Sequence, residues 1–162
     1  MQVVIEQIKN EYSAAVIDII LPIQQIEFNV AITLEDQPDL LDIESNYYAT
    51  GGGFWGAKVN GELVGTIALI RFSEDSAAIR KMFVKKEFRG KEYGIANALL
   101  QGLIAYSKEN GINKLYLGTV TVLQAALRFY EKNGFEPIEK SNLPAAFPLM
   151  SADNTFRQLV IK

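Results

Sequence analysis

The 162-residue chain contains no cysteine and no histidine. Without cysteine there is no disulfide and no thiol nucleophile, and without histidine the commonest catalytic base and the usual zinc sets are gone as well. A Ser-His-Asp arrangement is excluded for the same reason. Any acid-base chemistry therefore falls to carboxylates, tyrosines, lysines or water. No apolar run approaches the ~20 residues that a membrane span requires. The opening MQVVIEQIKNEY has no basic stretch followed by an apolar one, so the expectation is a cytoplasmic protein with no membrane partner. Positive charge is missing altogether between Lys9 and Lys58, where Glu11, Asp18, Glu27, Glu35, Asp36, Asp39, Asp42 and Glu44 lie. With a net charge of -3, the chain is not expected to bind nucleic acid.

The stretch from Ala77 to Leu100 is what the rest is organised around. Ile79, Met82, Phe83 and Val84 form a short strand-like apolar run, and Lys85, Lys86, Arg89 and Lys91 then crowd positive charge into a turn. Gly94 and Ala96 open a long helical pattern with little side-chain bulk. The first turn of a helix presents backbone N–H groups that lack a partner inside the helix, and its dipole favours an anion there. Strand, basic turn and small-residue helix start thus make a candidate cradle for a phosphate. Gly51-Gly52-Gly53 has the look of another, but no Lys-Ser or Lys-Thr follows it and Phe54-Trp55 begins a strand, so it reads as a turn.

The length suits one domain over residues 1–162. Residues 2–8 read as an edge strand, Asn10 as the cap of a helix reaching Pro22, and 30–56 mostly as loop with a short helix near Pro38. Strands at 54–59 and 63–72 flank Asn60-Gly61, the sequence of a type I′ hairpin turn. A third antiparallel strand covers 77–84. The spacing of Leu99, Leu100, Leu103 and Ile104 predicts a helix over 93–108, closed by Asn110-Gly111. A strand at 114–117 can then lie parallel to the one at 77–84 through a right-handed crossover. A helix at 121–132, a strand at 135–138, a loop over 141–150 and a last strand at 156–161 complete the chain.

Two motifs carry a resemblance. Lys91-Glu92-Tyr93-Gly94-Ile95-Ala96 is similar to the Gln/Arg-x-x-Gly-x-Gly/Ala motif that follows the fourth strand of the GNAT superfamily of acyl-CoA-dependent N-acyltransferases; Arg89-Gly90-Lys91 offers a second alignment of the same motif. Downstream, Ala126 and Phe129-Tyr130-Glu131-Lys132-Asn133-Gly134-Phe135 resemble the family's second signature. The resemblance covers about residues 77–138. It departs where the family often has Asn, seven residues before Tyr130, a place held here by Leu123.

The resemblance implies an α/β fold of the α+β type, a mixed and mostly antiparallel sheet splayed at its centre with helices on both faces. It implies acetyl-CoA as co-substrate and no metal. The cofactor arm would meet the strand edge at Met82, Phe83 and Val84, and its diphosphate would lie on the turn Arg89, Gly90, Lys91, Glu92, Tyr93, Gly94, Ile95 and Ala96. Leu123, Ala126, Phe129 and Tyr130 would flank the cofactor. Tyr130 stands where the family keeps a tyrosine near the CoA sulfur and is expected to be the general acid, with the Phe83 N–H holding the oxyanion. For the base, Glu27, Asp36 and a water oriented by Thr119 all remain open. Tyr47, Tyr48, Phe54, Trp55 and Phe147 are candidates for the pocket wall. The expected activity is acetyl transfer to a small cationic or amino-acid-like amine by direct attack in a ternary complex, since no cysteine is present to form a covalent intermediate. A CoA-binding module without turnover is the alternative, favoured if the 144–148 loop plugs the cleft. A homodimer is compatible with the family.

Overall fold

In the computed structural model, which describes residues 2–90 and 92–162, seven strands form one sheet in the order β1-β2-β3-β4-β5-β7-β6. Lys91 lies outside the described residues. The strands are β1 (Val3–Gln7), β2 (Gly53–Val59), β3 (Glu62–Arg71), β4 (Ser76–Val84), β5 (Lys114–Thr119), β6 (Glu136–Pro137) and β7 (Thr155–Val160). Helices α1 (Ser13–Pro22), α2 (Ile95–Glu109) and α3 (Gln124–Lys132) connect them. Every neighbouring pair is antiparallel except β4 and β5.

The hairpin is set as its sequence demands. Asn60 and Gly61 both take positive φ, 52° and 83°, which is the pair of values a type I′ turn needs. Its product, β3, is buried along most of its length because both faces of the sheet are covered. On one face α2 and α3 press Leu99, Leu100, Leu103 and Tyr130 against Val64, Ile67, Ile79 and Leu117. On the other, α1 and the 38–48 segment bring Ile19, Ile20, Leu40, Ile43 and Tyr47 to Phe54, Leu63 and Ala68. Full burial of such a side chain contributes about 1.5–3 kcal/mol, so the sheet is held from both sides. A third, smaller cluster joins Ala78, Tyr116, Phe147 and Phe156.

Three expected boundaries move, each for a local reason. Asn10 does not cap α1. Its side chain instead donates to Asp42 Oδ1 (3.1 Å) and accepts from the Glu44 N–H (3.0 Å), tying the start of the chain to the 42–44 loop. α3 begins at Gln124 rather than 121, because the 120–123 turn is held by the Asn154 side chain, which accepts from the Thr121 N–H at 3.0 Å. β6 shrinks to Glu136–Pro137, since proline cannot donate to a ladder. Past Pro22 the chain does not stop but makes a wider turn, Ile23–Glu27, closed by the Phe28 N–H on Ile23 O at 3.0 Å. Among the described residues, no helix is long and apolar enough to cross a membrane.

Candidate active site

β4 and β5 pair over Ser76–Ala78 and Lys114–Tyr116 only. Beyond that they separate, and the edge of β4 from Ile79 to Val84 faces an opening. A bulge helps to bend it. Thr66 pairs with Phe83 and Ala68 with Arg80, so β4 holds one more residue than β3 across this step. Lys81 absorbs the extra length at φ 55°, and the Thr66 hydroxyl fixes the bulge by donating to Lys81 O at 2.6 Å.

Strand alternation decides which backbone groups reach the opening. The Lys85 N–H bonds Val64 O of β3 at 2.8 Å, so two residues earlier Phe83 also turns its N–H and C=O toward β3. The Phe83 amide is therefore not the one that faces the cleft. That position belongs to Met82 and Val84, and Val84 O is indeed met from the cleft side by Arg89 Nε at 2.8 Å. The Phe83 side chain packs on the α1 face, while Met82 and Val84 lie on the α2–α3 face.

Below the opening, the turn after β4 runs into α2 through Gly90 (φ 130°) and Gly94 (φ 61°). Gly94 is the N-cap and no side chain caps the helix. The first bond into α2 runs from the Ala98 N–H to Gly94 O at 3.0 Å, which leaves the amides of Ile95, Ala96 and Asn97 without a partner inside the helix. Among the described residues, its chain neighbours aside, no atom lies within 4 Å of where a Gly94 side chain would begin. Of the cations expected at this turn, Lys85 pairs with Glu62 at 2.9 Å. Arg89 forms a two-pronged bond with Glu27, at 2.5 and 2.8 Å. That pairing, chiefly the hydrogen bond, holds the Glu27 carboxyl below its ordinary range. Both oxygens of the Glu27 carboxylate are thus taken up by Arg89. Asp36 is equally engaged, accepting from the Thr33 N–H (3.0 Å) and hydroxyl (3.1 Å).

Tyr130 projects from α3 into the α2–α3 face and is 6 % exposed. Its hydroxyl lies 3.3 Å from Met82 Sδ, at the open edge of β4. Burial pushes its pKa up, so the hydroxyl stays protonated and able to donate. Ala126 and Phe129 pack on the same cluster, Leu123 is the N-cap residue of α3, and Thr119 ends β5 opposite Thr155.

The other face of the opening carries charge that the sequence did not single out. Lys81 reaches Gln37 Oε1 and lies 3.6 Å from Asp39 Oδ2, which also accepts from the Tyr47 hydroxyl at 2.5 Å. Burial lowers the Lys81 pKa and Asp39 opposes that. Arg80 donates to Pro148 O. On β5, the residue facing this side is Gly118, and a methyl there would overlap Asp153 Oδ2 and come within 2.9 Å of the Phe156 ring. Asp153 therefore lies directly on the β5 backbone where the strands part. Burial raises its pKa, with Arg80 opposing. Of the expected wall residues, Tyr47 contributes its hydroxyl and Phe147 packs on Phe156 and Tyr116. Phe54 and Trp55 are core, and the Tyr48 hydroxyl lies at the carbonyls of Ile8 and Phe54, 2.7 and 2.8 Å away. Nothing local marks Asp153 in the sequence, since it arrives only because β7 folds back along β5.

A family model described as "Acetyltransferase (GNAT) family" matches residues 17–135. The chain is similar to a GNAT-family acetyltransferase from Staphylococcus aureus Mu50, 41% identical with a TM-score of 0.95, over 99% of this chain and 100% of that one. A putative acetyltransferase from Salmonella typhimurium, solved with its cofactor acetyl-CoA, shares the fold at TM-score 0.74 and 18% identity, over 100% of this chain and 95% of that one. An N-acetylaspartate synthetase from Danio rerio is 38% identical over 102 residues, 62% of this chain and 36% of that protein. The chain thus spans little more than a third of that relative's length.

Proposed function

Because the chain belongs to the acetyltransferase (GNAT) family, we propose that residues 1–162 act as a single domain that moves an acetyl group from acetyl-CoA to the amine of a small, amino-acid-like acceptor. The observation that carries this reading is the opening between β4 and β5, which has an unpaired strand edge at 79–84, a buried tyrosine hydroxyl beside it and an uncapped helix start below it.

These features fit the donor part by part. The edge amides of Met82 and Val84 and the Met82 carbonyl suit pairing with an extended amide-bearing arm, as a strand would, while Val84 O is taken by Arg89. The amides of Ile95, Ala96 and Asn97, with Lys86 and Arg89 nearby, suit a diphosphate. Acetyl-CoA supplies an activated thioester carbonyl. The chain's own residues do the rest: the Met82 or Val84 N–H holds negative charge on the carbonyl oxygen, and the Tyr130 hydroxyl gives a proton to the departing sulfur. On the acceptor side, Arg80 and Lys81 stand with Asp39 and Asp153 in one polar cluster. Cation and carboxylate side by side suit a molecule that itself carries both charges, which favours an amino acid over a polyamine. The similarity to an N-acetylaspartate synthetase supports the same choice.

Calorimetry with acetyl-CoA, followed by thiol release over a panel of amino acids, polyamines and short peptides, tests the proposal. Heat of binding and turnover with an amino acid are expected; no heat at millimolar acetyl-CoA would end it.

The Glu27–Arg89 pair yields a smaller prediction. A partly exposed ion pair contributes about 0–1 kcal/mol, and the Glu27 carboxylate offsets positive charge that Arg89 would otherwise offer a phosphate. Glu27→Gln should raise acetyl-CoA affinity by no more than about fivefold and leave kcat within about twofold. A kcat reduced by about 10²-fold instead would restore Glu27 as the base.

A further inference from the structure

We propose that Asp153 takes the proton from the acceptor's ammonium, on the face of the sheet opposite Tyr130. The proposal rests on the acetyl-transfer reading and goes beyond it by naming the base.

Geometry comes first. β4 and β5 last pair at Ala78 and Tyr116, so continuing the same register sets Arg80 across from Gly118 at the first part of the opening. Asp153 Oδ2 occupies the space that a side chain on Gly118 would fill. The carboxylate is thus seated at the mouth of the opening by the absence of a Cβ on β5. The turn that carries it is fastened at both ends. The Asp153 N–H bonds Met150 O at 3.1 Å and the Asn154 N–H bonds Thr119 O at 2.9 Å. Beside it a cleft of about 860 Å³ opens to solvent, with Asp153, Phe156, Ile138 and Asn142 among its walls. Its walls come from residues 137–142 and 153–158, across β5 from β4, so Asp153 stands between this cleft and the opening.

The chemical surroundings are those a base requires. Arg80, on β4, is the charged group whose field lowers the Asp153 pKa, and burial outweighs it in the upward direction. β5 offers Gly118 and the phenol of Tyr116, β7 offers the ring of Phe156, and Glu139 and Lys140 lie across the cleft. A carboxylate with a raised pKa holds a proton more firmly than a surface aspartate does. Unlike Glu27 and Asp36, Asp153 has no side chain or backbone donor among the hydrogen bonds of the described residues, and it lies on the wall of the cleft.

The proton accounting closes. The ammonium gives one proton to Asp153, which passes it to water in the cleft. The nitrogen lone pair so freed forms the C–N bond, the C–S bond breaks, and sulfur takes a proton from Tyr130. Nitrogen loses a second proton as the amide forms, Tyr130 is reprotonated from solvent, and one proton is released per turnover.

The test is Asp153→Asn, with thiol release from acetyl-CoA measured for the best amino acid of the panel and, separately, for hydroxylamine. Hydroxylamine is neutral at pH 7, so its lone pair is free to attack without prior loss of a proton. The variant should lose about 10- to 100-fold in kcat with the amino acid, and lose the ascending limb of its pH profile. Its rate with hydroxylamine should fall far less than its rate with the amino acid, and its affinity for acetyl-CoA should stay near that of wild type. An unchanged amino-acid rate and profile would overturn the proposal, and so would an equal loss with both nucleophiles, which marks a structural role. Carbon-13 NMR of labelled aspartate in the wild-type enzyme gives a check that needs no acceptor. The Asp153 carboxyl should titrate above the ordinary aspartate range, and titration within that range would overturn the assignment. If wild type bound no acetyl-CoA, the acetyl-transfer reading would fail first, and that result is distinct from both.

Discussion

Replacing Tyr130 by phenylalanine should lower kcat by about 10²- to 10³-fold while leaving acetyl-CoA affinity and thermal stability almost unchanged. The hydroxyl's partner is Met82 Sδ at 3.3 Å, and an O–H···S contact is a weak one. Its removal leaves no strongly solvated group stranded and takes little from the fold. The ring still packs edge-on to Phe129 and Phe135, with centroids 5.6 and 5.4 Å away. What disappears is a proton donor beside the open edge of β4. The effect should therefore fall on turnover and not on binding, which steady-state thiol release together with calorimetry separates. Because burial keeps the phenol protonated, the variant should retain whatever ascending limb the pH profile has and lose rate evenly across it. Equal turnover by the mutant would remove Tyr130 from its assigned role.

The second large effect is expected at Gly94. Gly94→Val should weaken acetyl-CoA binding by about 10²-fold or more, because the side chain would stand in the empty space before the amides of Ile95, Ala96 and Asn97. The backbone there has φ 61°, which costs a residue with a Cβ about 1–2 kcal/mol. The fold survives a loss of that size, since no neighbouring atom is struck. Gly94→Ala separates the two causes: it carries most of the backbone strain with less bulk, so it should resemble the valine variant in melting temperature but bind acetyl-CoA more tightly. Wild-type affinity in the valine variant would show that the helix start does not hold the donor.

Much of this architecture was legible in the sequence, and the pattern of what was not is instructive. Asn60-Gly61 set the hairpin and its register, and the apolar spacing of α2 set the helix that fills one face. Signals of that kind act over a few residues. The bulge at Lys81 has no such signal, because lysine has no preference for positive φ; it is imposed by the pairing of Thr66 with Phe83 and Ala68 with Arg80. The turning of the Phe83 amide toward β3 follows from that same register. The Glu27–Arg89 pair joins residues 62 apart in sequence, and Asp153 reaches Gly118 only through the return of β7 along β5. The edge of β4 and the turn into α2 follow one another in the chain, where short-range patterns act; the cluster of Arg80, Lys81, Asp39 and Asp153 is assembled from distant segments, which no such pattern encodes.

Three residue pairs, Ser76–Ala78 against Lys114–Tyr116, are all the ladder that joins β1–β4 to the β5-β7-β6 panel. The sheet is in effect two plates sewn together along a short seam, with a wedge-shaped gap where the stitching stops. A donor arm bonded to the edge of β4, as proposed above, would take the place of the strand that is missing there and lengthen the seam.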